Sequence, residues 1–380
     1  MSSLSPLVAF NAHLLAGDTS YRSAGISVYI ASLLRHLGTA SQDLRFRILL
    51  GDGVLPNGVS IPVTRSRFST RSPWRRILWE QTVLPIVVQR LGASLLHGPA
   101  FAGPLLSSCP QVVTVHDLSF LRHPEFFRTG NRLYLSMITG LACRRSAAVI
   151  AVSDFTAREV VALLGVRSER VMTIYPGVAP RFRPIPEADV ARFRAEKGLP
   201  DRYILYLGTL EPRKNLIRLV RAYSRLRDPG LHLVLAGAQG WFCEGVFAEV
   251  ERLGLKEHVH FPGFVRADEQ AFWYNAARVF AYMSAYEGFG MPVVEALACG
   301  VPTVTASTTS LPEAGGQSVV AVPPDDEAAI ADALDRVASD NSLRREMRDR
   351  GIAHAARFTW EETAARTTTV YRQIVDRRLS

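Results

Sequence analysis

Two successive runs of alternating strand-like and helix-like segments, separated by a proline-rich stretch, constrain this chain more than any other feature. The first run opens with PLVAFNAHLL, an apolar strand. After the polar loop AGDTSYRSAG comes ISVYIASLLRHLG, apolar at helical spacing and closed by Gly38. LRFRILLGDG, SLLHGP and QVVTVHD are short apolar runs that end in polar loops. NRLYLSMITGLACRRS reads as a helix, AAVIAVS as a buried strand, DFTAREVVALLG as a helix capped by Ser153 or Asp154, and ERVMTIYPGV as a closing strand.

PRFRPIPEADV, with three prolines, places a linker at about residues 180–188. The alternation then restarts. DRYILYLGTL, LHLVLAGAQG, HVHFPGFV, VFAYMSAYEG, VPTVTAS and SVVAV read as strands. Helices are expected from Lys214 to Arg225, in VFAEVERLGL, DEQAFWYNAA and DEAAIADALDRVASD, and over residues 361–378.

Strands that alternate with helices imply parallel sheets covered on both faces. The expected architecture is α/β: two Rossmann-like, doubly wound parallel-sheet domains facing a central cleft. The expected boundaries are 1–183 and 184–360, with residues 361–380 a terminal helix that packs back towards the first domain. In open sheets of this kind ligands sit at the carboxyl ends of strands, so the strand-to-helix loops carry most weight.

Composition narrows the class. A hydrophobic content of 48% with 21% charged residues describes a soluble globular protein. No run of about 18 apolar residues offers a spanning helix, and MSSLSPLVAF lacks the basic start of a secretory signal. The four cysteines are scattered and have no metal or redox spacing, as expected of reduced thiols in a cytoplasmic protein. The net charge of +9 is unevenly spread. Residues 1–183 hold 20 Arg and no Lys against nine acidic residues, whereas the rest of the chain is close to neutral. A basic half suggests a polyanionic partner.

The most informative loop is YEGFGMPVVEALACG, Tyr286 to Gly300. Gly288 and Gly290 permit close backbone approach, and Pro292 fits the first helical position. Free amides from Gly290 onward, through Met291 and Val293, would then face out of a helix start and seat a phosphate. Glu295, one turn in, is placed for a ribose hydroxyl, and Glu287 for hydroxyls of a group hanging from the second phosphate. For Glu295 alone, an ordinary helix with an acidic first turn is the better reading. The combination with Glu287, both glycines and Pro292 favours a nucleotide sugar. YLGTLEPRKNL adds Arg213 and Lys214 in a loop before a helix, where the helix dipole disfavours cations. Beside a diphosphate they would neutralise charge developing on a departing nucleoside diphosphate.

Glu287-GFGMPVV-Glu295, continued by ALACGVPTVTAS and SLPEAGG, resembles the signature of the retaining glycosyltransferases of family 4, which have the GT-B fold. The resemblance extends over nearly the whole chain. It implies that Glu287 binds donor-sugar hydroxyls, that Glu295 binds the ribose, and that the backbone of Gly288, Phe289, Gly290, Met291, Pro292 and Val293 holds the diphosphate. Lys214 matches the family's lysine. The arginine that many members carry after the strand glycine is Thr209 here, and Arg213 stands in for it. His116, in VVTVHDLSFLRHP, matches a histidine that contacts the donor sugar near its anomeric centre; Asp117 either joins it or caps a turn. Gly25 matches a glycine whose backbone approaches the diphosphate from the first domain, and FPGFV, ending at Val265, matches the base-binding loop.

No Asp-x-Asp motif stands at a strand end, so no catalytic metal and no cofactor are expected, the nucleotide sugar being a substrate. The dinucleotide fingerprint G-x-G-x-x-G is absent, which argues against an NAD enzyme. HDLSFLRHPEFF and GTLEPRKN resemble the branch that handles mannose or rhamnose in polysaccharide assembly, which favours a GDP-sugar over a UDP-sugar. The expected partners are this donor and a glycan or lipid-linked acceptor, with no nucleic acid.

Residues 64–90 carry Arg65, Arg67, Arg71, Arg75, Arg76 and Arg90, interleaved with Trp74, Ile77, Leu78 and Trp79. This segment either lies on an anionic membrane surface or packs as a helix on the first domain with its arginines solvated. The first reading would place a cytoplasmic protein on the inner face of the membrane. Two alternatives to a transferase remain: a catalytically silent nucleotide- or polyanion-binding protein, and a GT-B sugar epimerase.

Overall fold

The computed structural model describes residues 5–15, 24–70, 72–126 and 129–379. The chain forms two compact units, Met1–Gly177 with Thr359–Ser380, and Val178–Phe358.

The first unit is built on a seven-stranded sheet. Its strands are β1 (Leu7–Asn11), β2 (Arg45–Leu50), β3 (Val63–Arg65), β4 (Leu95–Gly98), β5 (Gln111–Val115), β6 (Ala148–Ala151) and β7 (Val171–Thr173). They lie in the order β3-β2-β1-β4-β5-β6-β7, and every pairing is parallel. The helices are α1 (Ala24–Ala40), α2 (Pro73–Arg90), α3 (Ser119–Arg122), α4 (Thr129–Arg145) and α5 (Asp154–Leu164). All five residues of β1 and all four of β6 are buried, as strands covered on both faces must be. Ser153 caps α5 by accepting from the Thr156 amide at 2.9 Å, and Gly165 ends it in the left-handed region.

The helix Trp360–Leu379 completes this unit. Buried Tyr371 places its hydroxyl 2.5 Å from Nδ1 of His97 on β4, and the same imidazole's Nε2 lies 2.8 Å from Thr114 Oγ1 on β5. Arg372 grips Asp43 at 2.7 and 2.9 Å, and Thr363 Oγ1 donates to the Tyr175 carbonyl at 2.8 Å.

The second unit carries a six-stranded parallel sheet of β8 (Tyr203–Leu207), β9 (His232–Ala236), β10 (Val259–Gly263), β11 (Val279–Tyr282), β12 (Thr303–Ala306) and β13 (Val320–Val322). The strand order is β10-β9-β8-β11-β12-β13. Its helices are α6 (Glu187–Lys197), α7 (Leu216–Tyr223), α8 (Glu244–Arg252), α9 (Gln270–Ala276), α10 (Met291–Ala298), α11 (Leu311–Gly315), α12 (Glu327–Ser339) and α13 (Asn341–Ala355). In each sheet the strand order reverses once, between β1 and β4 and between β8 and β11. Loops on either side of such a reversal diverge and leave a crevice at the carboxyl edge.

Several local expectations change. The division between units falls at Gly177, ahead of the proline-rich stretch, and α6 starts within the expected linker. Helix α1 continues two residues past Gly38. Gly25 stands in its first turn rather than in the preceding loop. Lys214 lies in a 3-10 turn, Pro212–Lys214, and α7 begins only after Asn215, whose φ of 58° breaks the chain direction. Pro292 is the second helical residue of α10, after Met291. Strand β3 and helix α13 were not anticipated from the sequence pattern.

Candidate active site

The second unit's reversal point brings together the loops after β8 and β11. Lys214, 7% exposed, reaches Glu287, 8% exposed, with Nζ 2.5 Å from Oε1. The Tyr282 hydroxyl, at the end of β11, accepts from Lys214 Nζ at 2.9 Å and donates to Glu287 Oε1 at 2.9 Å. Arg213 lies on the other side, its Nη1 3.6 Å from Glu287 Oε2, and it holds Glu211 through Nε and Nη2 at 3.0 and 2.9 Å. Two cations and two carboxylates thus balance one another in a space that excludes most water.

Burial alone would raise the Glu287 carboxyl. The adjoining Lys214 ammonium and Arg213 guanidinium outweigh it and hold the carboxyl at about 2. Burial and the neighbouring Arg213 push the Lys214 ammonium the other way, below its usual range, against the support of Glu287 and Glu211. Because hydrogen bond and ion pair coincide at 2.5 Å, Glu287 is an ionised, well-neutralised carboxylate and Lys214 an ammonium at neutral pH.

The backbone beyond Glu287 is pinned. Its amide donates to Thr309 Oγ1 at 3.3 Å, and its carbonyl accepts from Ser310 Oγ at 2.9 Å. Gly290 takes φ of 104° with Leu311 packed where a side chain would begin, so only glycine fits. The amides of Gly290 and Met291 find no acceptor among the described residues and stand at the start of α10, while Val293 donates to the Gly290 carbonyl at 2.9 Å. Phe289 is buried, with its ring edge-on to Phe358.

Glu295, on α10, accepts from the Tyr274 hydroxyl at 3.1 Å. Part of its surface is open, yet enough protein surrounds the carboxyl that desolvation lifts it to about 7 against the pull of Arg181. Val265 is buried just beyond the end of β10, next to exposed Phe264. Thr209 carries its carbonyl to the Tyr206 hydroxyl at 2.8 Å, which ties down the loop that leads to Arg213.

In the first unit, His116 follows β5 with Nε2 2.7 Å from the Pro99 carbonyl after β4. Only a protonated nitrogen can donate there, which leaves Nδ1 as the acceptor in the neutral ring. Desolvation lowers the imidazole below its usual range and favours that neutral form. Tyr29 and Phe101 pack edge-on against the ring. Asp117 accepts from the amide and hydroxyl of Ser119 at 2.9 and 2.6 Å, which closes a turn ahead of α3. Gly25 is exposed and nothing stands within 4 Å of the position of a Cβ, so no protein contact requires a glycine. In the basic segment, Trp74 and Leu78 are exposed but Trp79 turns inward on α2; Arg71 lies outside the described residues.

The structure thus brings Arg213, Lys214, Glu287 and the 288–293 backbone into one place, with Glu295 one turn away. Glu211, Tyr282 and Tyr274 complete it and were not singled out from the sequence. No three His, Cys, Asp or Glu side chains among the described residues are grouped to hold a metal ion.

Comparison with known proteins shows the family and the fold. Residues 23–182 match the family described as Glycosyltransferase Family 4, and residues 188–354 match Glycosyl transferases group 1. The O-antigen chain mannosyltransferase B of Escherichia coli is 32% identical over 285 residues, 73% of this chain and 74% of that protein. Sucrose-phosphate synthase from Thermosynechococcus elongatus superimposes with a TM-score of 0.79 at 20% identity, covering 97% of this chain and 98% of that one. Anabaena HepE, solved with UDP and glucose, does so with a TM-score of 0.76 at 20% identity over 97% and 100% of the two chains. The chain belongs to glycosyltransferase family 4 and has the GT-B fold of that family.

Proposed function

We propose that this glycosyltransferase moves a mannose-type sugar from a nucleoside-diphosphate donor, GDP-linked in preference to UDP-linked, to a glycan or lipid-linked acceptor of cell-surface polysaccharide. It does so with retention of anomeric configuration and without a catalytic metal. The observation that carries this reading is the Lys214–Glu287–Arg213 cluster beside the free amides that open α10. The amides and the two cations receive the diphosphate and stabilise charge on the leaving nucleotide. Glu287 orients sugar hydroxyls. As an ion-paired carboxylate held at about 2 it is a weak nucleophile, which favours a mechanism with no covalent glycosyl-enzyme. Glu295 meets the ribose, the loop at Val265 the base, and in the first unit His116 Nδ1 and the Gly25 backbone meet the donor. The mannosyltransferase relative supports the choice of sugar, while the UDP complex of HepE keeps UDP as the competing nucleotide.

The same reading puts the protein on an anionic membrane surface through residues 65–90. Among the described residues no helix is long and apolar enough to cross a membrane, so attachment would be peripheral.

Thermal stabilisation by GDP, UDP, ADP and dTDP tests the nucleotide, since a ligand that binds only the folded state raises Tm by mass action. Transfer followed by proton NMR of the product, with and without EDTA, tests retention and metal independence. A shift with UDP alone would overturn the GDP preference, an inverted product the retaining mechanism, and loss of transfer in EDTA the metal-free one. Binding without turnover on any acceptor would favour a silent nucleotide-binding protein.

A further inference from the structure

We propose that Asn11, His13 and Glu80, at the carboxyl edge of the first unit's sheet, bind hydroxyl groups of the sugar acceptor. This assignment rests on the glycosyl-transfer reading above.

Glu80 is 6% exposed, yet among the described residues its only hydrogen bond is a long one, from Asn11 Nδ2 at 3.2 Å, and it forms no ion pair with them. Arg76, one turn earlier on α2, exerts a favourable field, but burial dominates and raises the carboxyl. His13, also buried, stacks on Trp79 at 3.7 Å between ring centroids. Its Nδ1 is 3.2 Å from Thr70 Oγ1, and among the described residues its Nε2 has no partner. Burial and the nearby Arg76 keep this ring neutral, at about 4. Asn11 ties the two together, since its Oδ1 accepts from the His13 amide at 3.3 Å.

Buried polar groups are normally satisfied, and a half-satisfied cluster is less stable than an apolar one. Here a carboxylate oxygen and an imidazole nitrogen are left over on adjoining side chains. Both stand beside the last residue of β1, where the strand order reverses and ligands of open α/β sheets bind. The packing is also deliberate: a Cβ on Gly51 would run into Thr70 Oγ1 and His13 Nδ1. A buried carboxyl next to a neutral imidazole exchanges hydrogen bonds with neighbouring hydroxyls, and neither group supplies the positive charge that a phosphate requires. The class of ligand is therefore a sugar ring, not the diphosphate of a lipid carrier.

Glu80→Gln tests the assignment, with an octyl mannobioside as the probe. Its binding to wild type and variant is followed by calorimetry, alongside Tm and the shift in Tm produced by the nucleotide. The expected result is at least tenfold weaker saccharide binding, an unchanged nucleotide shift, and a Tm equal to or above that of wild type. A structural carboxylate predicts the reverse: a lower Tm with no change specific to the saccharide. If Glu80→Gln fails to fold, His13→Asn decides by the same saccharide comparison, and equal binding by variant and wild type overturns the proposal. The probe is read without turnover. Should wild type bind it but transfer no sugar from any donor, the glycosyl-transfer reading fails while the hydroxyl site stands or falls on the saccharide comparison.

Discussion

Lys214 Nζ, Glu287 Oε1 and the Tyr282 hydroxyl form a closed triangle with sides of 2.5, 2.9 and 2.9 Å, and the Lys214–Glu287 side joins two loops 73 residues apart in sequence. Lys214→Ala leaves two buried carboxylates, Glu287 and Glu211, against Arg213 alone, and is expected to destabilise the second unit by about 3–5 kcal/mol. Lys214→Met with Glu287→Leu should recover much of that loss while abolishing transfer. Chemical denaturation of the wild type, Lys214→Met, Glu287→Leu and the double variant measures the coupling. Additive effects would mean that the pair is not the unit described.

Glu295 makes stability depend on pH in the opposite sense from an ordinary ion-paired carboxylate. Its folded carboxyl stands at about 7, above the ordinary 4.5, so between these values the folded state holds a proton that the unfolded state has released. The stability that Glu295 contributes is fully present below 4.5 and is lost as pH rises towards 7. Glu295→Gln removes the dependence. The difference in Tm between variant and wild type should grow in favour of the variant from pH 5 to pH 8, as scanning calorimetry can show; curves that stay parallel would reject a raised carboxyl.

The sheets were legible because their strands are continuous apolar runs, the signature of burial on both faces. Helix α6 was not, because EADVARFRAEK buries only Val190 and Phe193 and follows two prolines, so it reads as linker. Helix α13 is similarly polar, with Met347, Gly351 and Ala355 its buried residues. Glu287, Lys214 and the α10 entry were legible because each lies in a contiguous motif. Glu211 lies in the same motif as Lys214 and Tyr282 only five residues before Glu287, but the lateral pairing of β8 with β11, a tertiary fact, is what sets Tyr282 against Lys214. Glu80 and Asn11 are 69 residues apart, and nothing local marks either one.

The terminal helix offers a test confined to the first unit. Tyr371→Phe deletes one hydroxyl and leaves His97 Nδ1 without its partner in a fully buried site. Desolvation already holds that imidazole at about 3, so it cannot recover by taking up a proton near neutrality. The expected cost is about 1–3 kcal/mol. Hydrogen exchange should show it as lost protection in β4 and in the terminal helix. Unchanged exchange there would mean that the contact contributes nothing.

The surface around α2 and α4 allows the membrane reading to be tested against simple solvation of its arginines. Trp74 and Leu78 on α2, Leu133 and Met137 on α4, and Leu106 in the loop after β4 are exposed large apolar residues. Trp74 packs near Tyr134, and Gln81 holds the Leu105 amide at 3.0 Å, so the three segments adjoin. Arg75, Arg90, Arg144 and Arg145 are exposed on these segments, whose sole carboxylate, Glu80, is buried. Apolar side chains among cations with no exposed acid match an anionic lipid surface. Flotation with vesicles containing anionic phospholipid should carry the protein, zwitterionic vesicles should not, and high salt should release it. Each Arg→Glu change at Arg75 or Arg145 should weaken binding by at least about 1 kcal/mol, the contribution of a single basic residue near such a surface. Trp74→Ala should weaken it without altering its dependence on salt. Binding that ignores both lipid charge and Trp74 would leave these arginines as a solvated face.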